Sequence, residues 1–246
     1  MQTETVSLPH VTAPSWNVEI DLVDRPTPFL MVDLEQVSAA YSSLQAALPD
    51  FRILYAMKAN PQPEVLDALA QEGSGFEVAS ATELTTLLDR DIPADGVMFS
   101  NPVKAPLDIR MGHDCGVSAF ALDSDAEIIK LALEAPGSAV YVRIATTGSG
   151  SRFPLSKRFG VGPREAVELL KLARNFGLVP YGCTFMSARR TPTRAAGTSR
   201  LRTVHTSCAS SSGFMGPVCR CSISAVGSPL STQRGVFPRW RSSARP

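Results

Sequence analysis

Up to Phe185 the apolar positions alternate between two rhythms. Val37, Ala40, Tyr41, Leu44 and Leu48 recur at the three- and four-residue spacing of one helical face, in a helix that ends near Pro49. A strand-like run from Phe51 to Met57 follows. The alternation goes on with a helix over Glu64 to Gln71, a strand at Gly75 to Ala79, a helix at Thr82 to Leu88 and a strand at Gly96 to Ser100. Next come a helix near Leu107 to Gly112, a strand at Ser118 to Leu122, a helix at Asp125 to Leu133 and a strand at Ala139 to Ala145. After the Gly/Ser-rich stretch Gly148 to Ser151, the pattern predicts a helix over Arg164 to Phe176 and a strand over Pro180 to Phe185. Strands alternating with helices imply parallel pairing, and apolar strand runs suit a sheet covered by helices. A doubly wound sheet and a (β/α) barrel both satisfy this. Six strands counted from Phe51 favour an α/β fold that is a partial TIM-like barrel, short of the usual eight.

Composition adds a seam to this picture. The 246 residues carry 24 Lys+Arg and 23 Asp+Glu, a formal charge of +1, with 44% hydrophobic residues. That balance fits a globular chain able to bury a core, and excludes collagen-like and disulfide-scaffold classes. The charge is not evenly spread, however. Residues 1–185 hold 14 Lys+Arg and all 23 acids, a net of −9, whereas residues 186–246 hold ten Arg, no Lys and no acid, a net of +10. The second segment also has twelve Ser, and its apolar residues keep neither period. The start, Met1-Gln2-Thr3-Glu4, has no basic cluster before an apolar stretch, and no window approaches the roughly 18 apolar residues of a membrane span. The expected location is cytoplasmic, with no membrane partner. The five cysteines are an odd, scattered set, and Cys219-Arg220-Cys221 is too tight for a common zinc site. His10, His113 and His205 have no spacing that suggests metal, so no metal site is expected.

Lys58 stands out chemically. It closes the run Tyr55-Ala56-Met57-Lys58-Ala59-Asn60-Pro61, at the C-terminal end of the first barrel-type strand, where barrel enzymes place catalytic groups. A lysine ending an apolar strand is expected to be partly desolvated, which would favour its neutral, nucleophilic form. Spacing alone favours the plainer reading, a lysine reaching into solvent where the strand ends.

The surrounding motifs carry a resemblance. They are Thr27-Pro28-Phe29-Leu30, Tyr55 to Asn60, Gly75-Phe76-Glu77-Val78-Ala79-Ser80 with Glu83, and Ser100-Asn101-Pro102-Val103-Lys104. Further on come Phe120-Ala121-Leu122-Asp123-Ser124, Val142-Arg143-Ile144 and Pro154-Leu155-Ser156-Lys157-Arg158-Phe159-Gly160. In this order they resemble the pyridoxal-phosphate-dependent ornithine decarboxylase family, basic amino-acid decarboxylases built on an alanine-racemase-like barrel. The resemblance spans about Thr27 to Phe185. It implies decarboxylation of a basic amino acid, most simply ornithine to putrescine in polyamine biosynthesis, with pyridoxal 5'-phosphate as cofactor. It further implies that Lys58 holds the cofactor covalently, that Glu77 and Arg143 lie beside it, and that the intact enzyme is a homodimer. Glu77 stands where the family usually has aspartate. Each of these residues also has a structural reading: Glu77 as a solvated strand residue, Glu83 as a first-turn carboxylate favoured by the helix dipole, Arg143 as an ion-pair partner. Asn101 and Lys104 are read as shaping the turn after a strand.

At Thr184-Phe185 the resemblance stops. The family continues Thr-Phe-His-Val-Gly-Ser-Gln, and this chain reads Met186-Ser187-Ala188-Arg189-Arg190. If the family segment were encoded TTC CAT GTC GGC TCG CAG, loss of one C would give codons for Phe-Met-Ser-Ala-Arg, the residues present here. The codons of Ser222 to Pro229, shifted likewise, are compatible with Asp-Leu-Gly-Gly-Gly-Phe-Pro, the family's downstream phosphate-binding signature. The expected organisation is therefore an N-terminal extension (1–26), a partial cofactor-binding barrel (27–185) and an out-of-frame, basic, disordered tail (186–246), without the family's C-terminal β domain. Such a chain is expected to be inactive as it stands. Two alternatives remain at this point: a lysine, arginine or diaminopimelate decarboxylase of the same fold, and a non-catalytic partner of an intact decarboxylase. A nucleic-acid-binding arm is disfavoured, because the tail lacks lysine and interleaved aromatics.

Overall fold

A computed structural model describes residues 31–49, 51–145, 159–186 and 220–224, with side chains for all but Met186 and the last segment. The chain divides into units Met1–Asp33 and Leu34–Pro246.

Helix α1 (Leu34–Ala47) comes first, then strand β1 (Leu54–Ala56) and a 3-10 turn, Met57–Ala59. The βα alternation continues through α2 (Pro63–Gln71), β2 (Gly75–Val78), α3 (Ala81–Leu88), β3 (Val97–Phe99), α4 (Pro106–Asp114) and β4 (Ala119–Leu122). It ends with α5 (Asp125–Glu134), β5 (Ala139–Ile144), α6 (Pro163–Asn175), β6 (Val179–Met186) and β7 (Arg220–Ser224). Local chemistry sets the helix starts. Pro63, Pro106 and Pro163 each occupy the first turn, where no backbone donor is needed. Ser80 and Ser124 cap α3 and α5, their hydroxyls accepting from the N–H of Glu83 and Glu127.

The strands form one parallel sheet in the order β1-β2-β3-β4-β5-β6-β7. A doubly wound sheet reverses its strand order at a switch point, whereas sequential order without reversal is that of a barrel. The fold is thus an α/β partial barrel. Its first six strands are those the apolar runs predict. A further strand, Arg220–Ser224, inside the segment read as a disordered tail, pairs in parallel with β6, Gly182 against Arg220 through Met186 against Ser224. The other residues of 187–246 lie outside the described set, as do 1–30.

Successive strand residues point to opposite faces, and both faces are buried. On the helix-covered face Phe76, Val78, Val97, Phe99, Phe120, Leu122, Val140 and Val142 pack with Leu66, Leu84, Leu87, Ile109, Ile128, Leu131 and Leu170. Phe99 and Phe120 stack at a centroid separation of 6.0 Å. On the inner face Met98, Ala119, Ala121 and Tyr141 form a second, smaller cluster. The helical stripe predicted for α1 is present in weaker form: Tyr41 is buried, Val37, Leu44 and Leu48 are half-buried, and Ala40 is exposed. Among the described residues no helix is long and apolar enough to cross a membrane.

Candidate active site

Two of the three predicted site residues share the inner face. Glu77 lies in β2 between Phe76 and Val78, which face the helices, so its carboxylate points inward, in register with Ala56 and Met98. Arg143 lies two residues beyond the inward-facing Tyr141 on β5 and pairs with Thr184 of β6. The two are electrostatically coupled. Burial lowers the pKa of the half-buried Arg143, and the negative charges of Asp123 and then Glu77 oppose that. Glu77 also acts on Tyr141. Burial first, and Glu77 second, raise the pKa of that phenol, against a hydrogen bond with Ser100. Tyr141 therefore stays a neutral phenol across the physiological range. It is in register with Ala121 of β4, and its hydroxyl lies 2.7 Å from Oγ of Ser100, the residue just beyond β3.

Lys58, the third residue, sits in the 3-10 turn beyond β1, two positions after the residue paired with Glu77. It is exposed. The desolvation expected of a strand-closing lysine is absent, because β1 ends at Ala56 and the next turn carries Lys58 past the packed layer. Its side chain makes no hydrogen bond or ion pair with another described residue. The local frame around it is nevertheless fixed. Met57 is fully buried, and the Tyr55 hydroxyl donates to the Asn60 carbonyl oxygen at 3.2 Å. All three residues thus belong to the carboxyl-end half of the sheet, where a barrel carries its chemistry.

Glu83 has a structural role. Its Oε2 accepts the Ala79 N–H at 2.7 Å, while its own N–H is held by Ser80 Oγ at 3.2 Å, a reciprocal cap of α3. Asn101 and Lys104 shape the turn after β3, as read. Asn101 Nδ2 donates to the Val103 carbonyl oxygen at 2.6 Å, and Lys104 Nζ donates to the carbonyl oxygens of Asn101 and Ala121 at 3.0 and 2.5 Å. Lys104 also pairs with Glu127 at 2.8 Å, both side chains almost wholly buried, and the other oxygen of Glu127 meets Lys130 at 2.5 Å. Burial pulls the Lys104 pKa down to about 8, with Glu127 as the main opposing influence.

Sequence reasoning did not single out Glu127, Asp123 as an anchor, or the Ser100–Tyr141 pair. The Ser124-x-x-Glu127 spacing is a visible capping signal. Its partner Lys104, 23 positions earlier, is not visible in any local pattern. His113 is half-buried on α4 with Nδ1 3.1 Å from Ser138 Oγ. His10 and His205 lie outside the described residues, as do the side chains of Met186 to Arg190 and Ser222 to Pro229, on which the shifted-frame reading rests.

A sequentially ordered parallel sheet with charged side chains toward its carboxyl ends defines a class: a barrel-type binding domain with its polar groups where such barrels carry their chemistry. Residues 34–185 match the family model described as "Pyridoxal-dependent decarboxylase, pyridoxal binding domain". The chain belongs to that family, and its cofactor is pyridoxal phosphate. The lysine/ornithine decarboxylase of Selenomonas ruminantium is 39% identical over 160 residues, 65% of this chain and 41% of the relative. The chloroplastic ornithine decarboxylase of Nicotiana glauca is 34% identical over 165 residues, 67% of this chain and 38% of the relative. Among solved structures, lysine decarboxylase from Selenomonas ruminantium aligns with a TM-score of 0.72 at 34% identity, over 77% of this chain and 50% of that one. The chain spans about two fifths of the length of the curated relatives it matches.

Proposed function

We propose that residues 34–185 are the cofactor-binding barrel of an ornithine decarboxylase that forms putrescine as a homodimer, and that this 246-residue chain does not complete the reaction. The donor set fits the cofactor: an exposed amine on a fixed turn, with a coupled carboxylate and guanidinium on the neighbouring inner face. Lys58 would hold the cofactor covalently, and Glu77 and Arg143 would flank it. When bound, pyridoxal phosphate supplies the ring that takes up the electrons left as carbon dioxide departs. The chain's own contribution is orientation and charge. Glu77 and Arg143 present opposite charges from β2 and β5, and the neutral Tyr141 beneath them excludes water from the floor of the site.

The preference for an ornithine decarboxylase over a diaminopimelate decarboxylase rests on the Asn101-Pro102-Val103-Lys104 and Pro154-Leu155-Ser156 to Phe159-Gly160 segments. The lack of turnover rests on Met186 onward, where the family's ring-stacking and phosphate-holding residues are replaced. Borohydride reduction of the chain with pyridoxal phosphate, followed by peptide mapping, should label Lys58 and fail in Lys58→Ala. The purified chain should make no diamine, and a version with the frame restored at the Phe185 codon should favour putrescine over cadaverine. Diamine formation by the 246-residue chain, or labelling elsewhere than Lys58, would sink the proposal.

One observation favours a second reading. Antizyme inhibitor 2 of Xenopus laevis is 29% identical over 167 residues, 68% of this chain and 37% of that protein. A non-catalytic partner of an intact decarboxylase would form a stable complex with it in size-exclusion chromatography.

A further inference from the structure

Arg143 is held by more than its strand. Beyond the segment 146–158 the chain returns at Phe159-Gly160-Val161 and docks on the end of β5. The Val161 N–H donates to the Arg143 carbonyl oxygen at 3.0 Å, and the Ala145 N–H donates to the Val161 carbonyl oxygen at 2.9 Å. Gly160 has φ +94°, and a Cβ there would lie 2.7 Å from Ala145 N, so only glycine fits this approach. The Gly160 N–H is taken by Asp123 Oδ2 at 2.8 Å, from the residue just beyond β4. Phe159, partly exposed, presents its ring to the Arg143 guanidinium, with Cζ 5.2 Å from the centroid. Asp123 also acts directly on the charge of Arg143.

We propose that Asp123 is a positioning residue for Arg143: by anchoring the Gly160 N–H it seats Phe159 against the guanidinium and fixes the direction of Arg143 on the inner face of the barrel. The functional weight of this rests on the cofactor role proposed for Arg143. The geometry does not, and it is read on the cofactor-free chain. Without Asp123, Gly160 loses its anchor, the ring drifts, and the guanidinium keeps only its strand and its remaining charge partners.

The test is the Arg143 Hε resonance of the full chain, assigned by its disappearance in Arg143→Lys. The Phe159 ring displaces this resonance upfield, and Phe159→Leu removes the displacement. Asp123→Ala should remove it to the same extent, with no further change in the Asp123→Ala/Phe159→Leu double variant. Asp123→Asn is the fold-preserving control. It keeps a neutral acceptor, so the displacement should shrink without vanishing and the Gly160 amide should exchange faster. An Hε resonance unmoved in Asp123→Ala or Asp123→Asn while Phe159→Leu shifts it, or additive shifts in the double variant, overturns the proposal. Added pyridoxal phosphate separates the two readings. A wild-type chain that develops no visible absorbance band overturns the cofactor role of Lys58 and Arg143, and leaves the Hε result standing.

Discussion

Replacing Glu127 by Gln tests how the buried Lys104–Glu127 pair balances its charges. Breaking a buried pair by removing one partner generally costs about 3–5 kcal/mol, because the other charge is left uncompensated. Lys104 has a cheaper exit. Its side chain is 1% exposed, and burial has already brought its pKa down to about 8 from an ordinary 10.5. The folded chain can therefore shed that proton at pH 7 for about one pKa unit, roughly 1–2 kcal/mol. This ceiling, not the general figure, limits what Glu127→Gln loses through the Lys104 charge. The sign follows from proton counting. Between the folded pKa near 8 and the unfolded 10.5 the native state binds fewer protons than the unfolded chain, so stability rises with pH across that window. Removing Glu127 extends the window downward, and wild type and variant converge once Lys104 is neutral in both. Urea denaturation at pH 7 and pH 9 should therefore give a deficit of roughly 1–2 kcal/mol more at pH 7 than at pH 9. An equal deficit at both pH values, or one near 4 kcal/mol that persists at pH 9, would refute the reasoning.

Three smaller perturbations follow from the same geometry. Gly160→Ala forces a Cβ against Ala145 N at 2.7 Å in a left-handed conformation and should cost about 1–3 kcal/mol, read as a fall in urea midpoint. Ser80→Ala removes the acceptor for the Glu83 N–H and should cost roughly 0.5–2 kcal/mol, with the loss confined in hydrogen exchange to the first turn of α3. Tyr141→Phe and Ser100→Ala each break the same 2.7 Å contact and should each cost about 1 kcal/mol, while the double variant costs clearly less than their sum.

Much of the fold was legible because each βα unit announces itself twice, by an apolar run for the strand and by a periodic face for the helix. Proline or capped serine at the start of α2 to α6 made those boundaries sharp, and the predicted and observed limits differ there by only a residue or two. Site legibility was more uneven. Glu77 and Arg143 were found from motif letters, and the strand period explains why both face inward. The exposure of Lys58 was missed because a run of apolar letters, Phe51 to Met57, does not reveal that only Leu54–Ala56 pairs as strand. Asp123 and the Lys104–Glu127 pair were missed for another reason. Their partners are 37 and 23 positions away and meet only when neighbouring βα loops fold over the same sheet edge.

Strand β7 separates backbone from chemistry in the tail. Parallel pairing is made by main-chain groups, so a segment such as Arg220-Cys221-Ser222-Ile223-Ser224 needs only tolerable strand propensity to lie beside β6. Its presence therefore does not tell an in-frame sequence from a shifted one. On the shifted-frame reading the difference lies in the residues that follow. A barrel enzyme commonly builds its phosphate site from loops after the late strands, where glycines let backbone N–H groups approach the anion. This chain has Ala225-Val226-Gly227-Ser228-Pro229 at that point, and on the shifted-frame reading the same bases encode Gly-Gly-Gly-Phe-Pro. On that reading, one inserted base at the Phe185 codon would leave β1 to β5, with Glu77 and Arg143, untouched while restoring a glycine-rich segment able to hold a phosphate. The frame-restored protein should accordingly gain cofactor affinity out of proportion to any gain in stability of residues 34–185. Equal cofactor affinity in both versions would mean that the phosphate is held within those residues instead.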